Sequence, residues 1–197
     1  MPTLTIGLLS DTHVPHRVKH LPQAALDALA GVDVILHAGD VDDPAALEPL
    51  RAIAPVHAVR GNFHFLDLSD GGAALPAVIE LELAGKRVVL THGHQPGPWG
   101  LVVKGVRFLV NWAGLLDNSW LNWRGARRLA QTYPGADIIA FGHAHRAHVE
   151  WIGDKLLVNP GAVCPSRGER PTVARIKLGM GKPEVEVVPL PRHTGRK

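Results

Sequence analysis

The run Leu4-Thr5-Ile6-Gly7-Leu8-Leu9 passes directly into Ser10-Asp11-Thr12-His13. A short apolar run closed by polar residues reads as a buried strand. The polar tetrad behind it carries two side chains able to bind a cation. The same layout then recurs. Pro22 to Ala30 reads as a helix, with Pro22 tolerated in a first turn and Gly31 as a stop. Val32 to Ala38 is a second strand, ending at Gly39-Asp40. Asp43-Pro44 opens a helix to about Ile53, and Val56 to Val59 is a third strand, ending at Gly61-Asn62. Strand, helix, strand, helix, strand predicts a parallel sheet.

Beyond this opening, Ala77 to Leu83 and Lys86 to Thr91 read as two strands joined in a hairpin at Ala84-Gly85, the second running into His92-Gly93-His94. A Pro/Gly loop follows, Gln95 to Gly100. Val102, Val106, Leu109, Ala113 and Leu116 then recur at helical spacing. Asp117-Asn118-Ser119 interrupts that helix and caps another from Trp120 to about Tyr133. Strands return at Ile138 to Phe141, Ala147 to Ile152, Lys155 to Val158, Thr172 to Leu178 and Glu184 to Val188, with Asn159-Pro160-Gly161 as a turn. The expected fold is α/β: two packed sheets, parallel early and antiparallel later, with helices outside.

The 197 residues are 46% hydrophobic and 20% charged, a globular composition. One domain, 1–197, is expected, with a helical insertion or cap over about 95–133 inside it. No signal-peptide pattern opens the chain, and no apolar run approaches the roughly 20 residues of a membrane span. The expectation is a soluble, cytoplasmic protein. Cys164 is the single cysteine, which excludes an internal disulfide and a Cys-rich zinc site. The formal charge is +3, partly in the tail Arg192 to Lys197. Without a clustered basic stripe, no stable nucleic-acid partner is expected.

Seven residues stand at or just beyond strand ends: Asp11, His13, Asp40, Asn62, His92, His143 and His145. Carboxylate, amide oxygen and imidazole are the ligands of hard and borderline divalent cations. Two cations about 3.5–4 Å apart need a negative group between them, and Asp40 is the natural bridge. Asp11 with His13, and His143 with His145, have period-two spacing, so each pair can face one site. Singly, each motif has an ordinary reading as a turn or a core histidine. In this order, each at a strand end, they read as one metal site.

The pattern Asp-x-His, Gly-Asp, Gly-Asn, His, Gly-His-x-His resembles the calcineurin-like metallophosphoesterases. Ser10 to His13, Leu90 to His94 and Asn159 to Val163 are similar to segments of the YfcE-type small phosphodiesterases in that superfamily. The resemblance runs from Leu4 to about Val188. It implies a four-layer α/β/β/α sandwich of two mixed sheets flanked by helices, with the helical insertion near 100–133. It implies two divalent transition-metal ions, manganese first, with iron, zinc or nickel as alternatives. One would be held by Asp11, His13, Asp40 and His145, the other by Asp40, Asn62, His92 and His143. The implied reaction is phosphodiester hydrolysis by a hydroxide bridging the metals. Many relatives carry His directly after the Gly-Asn asparagine, assigned to protonating the leaving group. Here Phe63 stands there, and His64, one residue on, is the candidate donor.

The insertion concentrates Trp99, Trp112, Trp120 and Trp123 with Arg124, Arg127 and Arg128. Three roles fit: packing on the core or a homodimer surface through 100–133, a substrate cap offering stacking faces and guanidiniums, or a membrane-surface contact. Arg167 to Arg170 reads as a solvated loop. The expected partner is a small phosphodiester or nucleotide-like substrate. A nucleotide or lipid-linked diphosphate under the insertion is the alternative. A non-catalytic scaffold like the retromer subunit Vps29, which shares this fold, is the other.

Overall fold

The computed structural model describes residues 3–61, 74–93, 119–165 and 169–192, with 119–122 described by backbone only. Among the described residues, ten strands form two five-stranded sheets. The first contains β1 (Leu4–Leu9), β2 (Val34–His37), β3 (Val56–Ala58), β9 (Thr172–Leu178) and β10 (Glu184–Pro189), in the order β10-β9-β1-β2-β3. The second contains β4 (Val78–Leu83), β5 (Lys86–Thr91), β6 (Ile138–Ala140), β7 (Ala147–Ile152) and β8 (Lys155–Pro160), in the order β4-β5-β6-β8-β7. Strands β1, β2 and β3 pair in parallel, as do β5, β6 and β8. The outer pairs β9/β1, β10/β9, β4/β5 and β7/β8 are antiparallel. Both sheets are therefore mixed, as expected.

Alternation along each strand builds the layers. Ile6, Leu8, Val34 and Leu36 of one sheet meet Val88, Leu90, Ile138, Ala140, Leu156 and Val158 of the other in a shared core. Leu9, Ile35 and Val173 point the opposite way, into a second cluster with Ala25, Leu29, Leu47 and Leu50. These come from α1 (Gln23–Ala28), its C-cap Leu29 and the helical segment after β2. Val89, Ile139 and Leu157 point out of the second sheet onto Ala126, Leu129 and Ala130 of α3 (Ser119–Thr132). Central strands buried on both faces explain why their sequences read as continuous apolar runs. Each fully buried Leu or Ile contributes roughly 1.5–3 kcal/mol.

Two expectations change. The segment after Asp43 is not one helix. Pro44–Leu47 is a 3₁₀ turn, capped by Asp43 accepting from the Ala45 N–H, and α2 spans only Glu48–Arg51. The cause is Pro49. It has no N–H to donate to Ala45 four residues back, and the Glu48 N–H takes that carbonyl instead. Second, Asn159 and Pro160 are not a turn: β8 runs through Pro160, which pairs with Ala147. The chain turns only at Gly161, whose φ is +86°. The expected helix over Val102 to Leu116 lies outside the described residues.

Candidate metal centre

The carboxyl ends of parallel strands from both sheets converge on one point. Loops after β1 and β2 carry Asp11, His13 and Asp40; those after β5 and β6 carry His92, His143 and His145. In open α/β sheets this edge is the ligand-binding one. Backbone bonds zip the first two loops together: the Asp11 N–H donates to Gly39 O (2.9 Å) and the His13 N–H to Asp40 O (3.1 Å).

Asp11, His13, Asp40 and His145 each offer one ligand atom, and the four atoms lie within 4.8 Å of one another. Three of these residues are buried, and His145, its side chain 13% exposed, marks the open side. Asp40 faces two ways. Its Oδ2 is 3.6 Å from His13 Nε2, and its Oδ1 is 3.5 Å from His92 Nε2. His143 stands edge-on to His92, ring centroids 5.2 Å apart. The structure thus brings together six of the seven expected positions. The seventh, Asn62, and the candidate donor His64 lie outside the described residues.

The surrounding contacts fix which atoms face inward. Asp11 Oδ2 receives the His143 N–H (3.3 Å) and lies 2.6 Å from Ser10 Oγ, leaving Oδ1 toward His145 Nε2 at 3.1 Å. His92 Nδ1 lies 2.7 Å from Ala38 O, which sets its proton there and turns Nε2 inward. Asn159, fully buried, donates to Gly142 O (2.8 Å) and accepts from the Gly161 N–H (2.9 Å). It thereby fastens the loop of His143 and His145 to the end of β8.

Backbone conformation marks the same residues. Asp11, His13, Asp40, His143 and His145 all have φ between +50° and +74°. Non-glycine residues rarely adopt the left-handed region, and such strain collects at functional sites. Two glycines make room. A Cβ on Gly39 would lie 2.5 Å from His92 Nδ1, and one on Gly61 1.6 Å from Asp40 Oδ1.

Electrostatics follow from burial and pairing. Burial opposes ionisation of Asp11, yet His145, His92 and the Ser10 hydroxyl together hold its carboxyl far below the usual carboxylate range. Burial pulls His145 down, but the Asp11 charge and hydrogen bond outweigh it and raise its pKa. Burial pushes His37, on β2, down to about 4, so it is neutral at neutral pH. The Gly39 N–H donates to its Nδ1 (3.3 Å), so the ring proton sits on Nε2, 3.1 Å from Thr12 Oγ1. Thr12 Oγ1 in turn donates to Asp40 O at 3.3 Å. Among these supports, Ser10 and Asn159 lie in segments that the sequence reading quotes without giving them this role, and His37 and Asp42 are not singled out there. The available signal was their placement within three residues of a ligand position or, for Asn159, at a strand end.

The donors fit a divalent transition metal: carboxylates and imidazoles converge, and the set carries too much negative charge and too many inward lone pairs to pack as an apolar core. The insertion reads differently. Arg128 donates to Gly93 O at 2.6 Å, and Arg127 lies 4.1 Å over the Trp123 ring. The described part of α3 therefore packs on the sheet and braces the turn after His92. Trp99 and Trp112 lie outside the described residues. Among those residues, no helix is long and apolar enough to cross a membrane.

A probable metallophosphoesterase from Methanothermobacter thermautotrophicus is 31% identical over 187 residues, 94% of this chain and 92% of that protein. Among solved structures, a Vps29 mutant from Entamoeba histolytica has 23% identity and TM-score 0.63, over 95% of this chain and 100% of that one. An archaeal phosphodiesterase has 20% identity and TM-score 0.60, over 95% and 100%. The Calcineurin-like phosphoesterase superfamily domain matches residues 4–180. With that match covering β1 to β9 and the candidate metal cluster, the chain belongs to the calcineurin-like phosphoesterase superfamily.

Proposed function

We propose that this protein is a dinuclear metal-dependent phosphodiesterase acting in the cytoplasm on a small phosphodiester or nucleotide-like substrate. Asp11, His13, Asp40 and His145 hold one cation, and Asp40, Asn62, His92 and His143 the other. The observation that carries this reading is the split of the Asp40 carboxylate, one oxygen toward His13 and the other toward His92. A carboxylate so placed can serve two cations at once. Manganese is the proposed metal, with iron, zinc or nickel able to use the same ligands.

Bound divalent cations supply Lewis acidity, activating water and offsetting charge on the phosphoryl group. The chain's own residues arrange the rest. Two carboxylates against two doubly charged cations leave a net positive centre, which attracts an anionic diester. Asp11 and His92 are held with Oδ1 and Nε2 inward, so little reorganisation is needed when substrate binds. His64 is the proposed proton donor to the leaving oxygen, since Phe63 cannot carry a proton.

Metal analysis with turnover of bis-p-nitrophenyl phosphate tests the proposal. Wild-type protein should hold divalent metal and hydrolyse the diester, and Asp40→Asn should lose nearly all of that activity. Wild-type turnover in the variant would refute the bridging role. The second reading, a scaffold, has the Vps29 fold likeness behind it; a wild-type protein that neither binds metal nor hydrolyses the diester would favour it. Comparing the diester with a nucleoside diphosphate then separates phosphodiesterase from diphosphate hydrolase.

A further inference from the structure

Asp42 has no place in the ligand assignment, yet it meets two imidazoles. Its Oδ1 lies 3.4 Å from His13 Nδ1 and its Oδ2 2.9 Å from His16 Nδ1. The Asp42 and His13 side chains are each 1% exposed, whereas His16 is 41% exposed, so the carboxylate links the inside of the centre to its rim. Asp42 Oδ1 makes no hydrogen bond of full geometry among the described residues and has His13 beside it. The position is built rather than incidental: Asp42 has φ +61° and pairs with Val14 in an isolated parallel bridge. The Asp43 N–H donates to Val14 O at 3.2 Å.

A neutral imidazole carries one ring proton. An ionised carboxylate at His13 Nδ1 places that proton there and leaves the Nε2 lone pair toward Asp40 Oδ2 at 3.6 Å. His92 meets the same requirement with a neutral carbonyl, Ala38 O. A charged acceptor holds the ring more firmly than a neutral one. We propose that Asp42 is a positioning residue of the metal centre: one oxygen fixes the orientation and tautomer of His13, and the other tethers His16 at the mouth. This inference rests on the reading that His13 binds a divalent cation through Nε2.

The test combines zinc titration calorimetry with long-range proton–nitrogen NMR of the imidazoles in metal-free and zinc-loaded protein. Asp42→Asn is the variant of choice, because Asn tolerates positive φ and keeps the side-chain volume. Wild-type protein should bind zinc with His13 protonated at Nδ1. Asp42→Asn should weaken zinc binding about 10- to 100-fold, while His16→Gln, which spares the His13 contact, should stay within about threefold of wild type. If wild-type protein binds no zinc, the metal-centre reading fails and this inference with it. If it binds zinc and Asp42→Asn binds within about twofold, Asp42 is a loop tether only, whatever its effect on melting, and the metal centre stands. Should Asp42→Asn not fold, the metal-free wild-type spectrum decides: an Nδ1–H tautomer at His13 before zinc is added supports the proposal, and an Nε2–H tautomer overturns it.

Discussion

Replacing Gly61 by Ala adds one methyl group beside the candidate bridge. The φ of Gly61 lies outside the left-handed region, so the backbone itself would accept Ala, and the effect is steric. The new Cβ would lie 1.6 Å from Asp40 Oδ1 and 2.6 Å from Cγ, inside any allowed contact. Rotating the Asp40 side chain relieves both clashes but breaks its relations to His13 and His92, at 3.6 and 3.5 Å. Rotation does not relieve the third clash, 2.5 Å to the Asp40 backbone nitrogen. The two loops must therefore separate. Overpacking of this kind costs about 1–3 kcal/mol, and a chain of this size loses roughly 2–4 °C in Tm per kcal/mol. Displacing a catalytic group by about 1 Å can cost a hundredfold in rate, equivalent to about 2.7 kcal/mol of barrier. The expected variant is folded, melts some degrees lower, and hydrolyses bis-p-nitrophenyl phosphate at least about a hundredfold more slowly at saturating metal. An unchanged Tm together with kcat/KM within about threefold of wild type would refute the close-approach argument.

Gly125→Ala supplies the opposite sign. Gly125 lies inside α3 with nothing within 4 Å of an added Cβ; the variant should gain up to about 1 kcal/mol in urea unfolding. Ser10→Ala removes the hydroxyl 2.6 Å from both Asp11 Oδ2 and Gly161 O. It should lose about 1–3 kcal/mol of stability, and a loss below about 0.5 kcal/mol would contradict the role given to that hydroxyl. His37 gives a pH signature in metal-free protein. Its pKa is near 4 folded and 6.5 in the reference state, so between these values the unfolded chain binds the extra proton. Stability should therefore fall as pH drops from about 6.5 toward 4. In His37→Gln that part of the slope should vanish; an unaltered slope would show that His37 is not its source.

Much of the fold was legible because the central strands are buried on both faces. The runs at Leu4–Leu9, Lys86–Thr91 and Thr172–Leu178 lie inside their sheets, and their bounds were read correctly, as were those of the alternating edge run Ala147–Ile152. The segment after Asp43 was misread because the Asp43-Pro44 start was carried on past the missing N–H at Pro49. The convergence of six of the seven candidate positions was legible for a different reason. Residues at strand ends are displayed by the topology, so a one-dimensional pattern of run and punctuation already encodes their meeting. Asp42 and His37 were not legible in that way. Asp42 lies on the far side of the His13 ring, and His37 meets Thr12 Oγ1 and the Gly39 N–H, relations that only the folded loops show.

That difference explains how the centre can be strained and still well ordered. Five residues with left-handed φ, each costing of order 1–3 kcal/mol, are a large burden for a domain of marginal stability. They persist because the loops carrying them are fixed from several directions. The loops after β1 and β2 are zipped by backbone bonds, Asp40 O receives Thr12, and Asn159 ties Gly142 to Gly161. Beneath them lies the shared core of both sheets. The orientation of the candidate ligands is thus set by packing and, at His92, by the Ala38 carbonyl behind the ring, before any cation arrives. Selectivity for one metal over another must then come from the donor set and the spacing it imposes, since the loops have little freedom to remodel around an ion of different size.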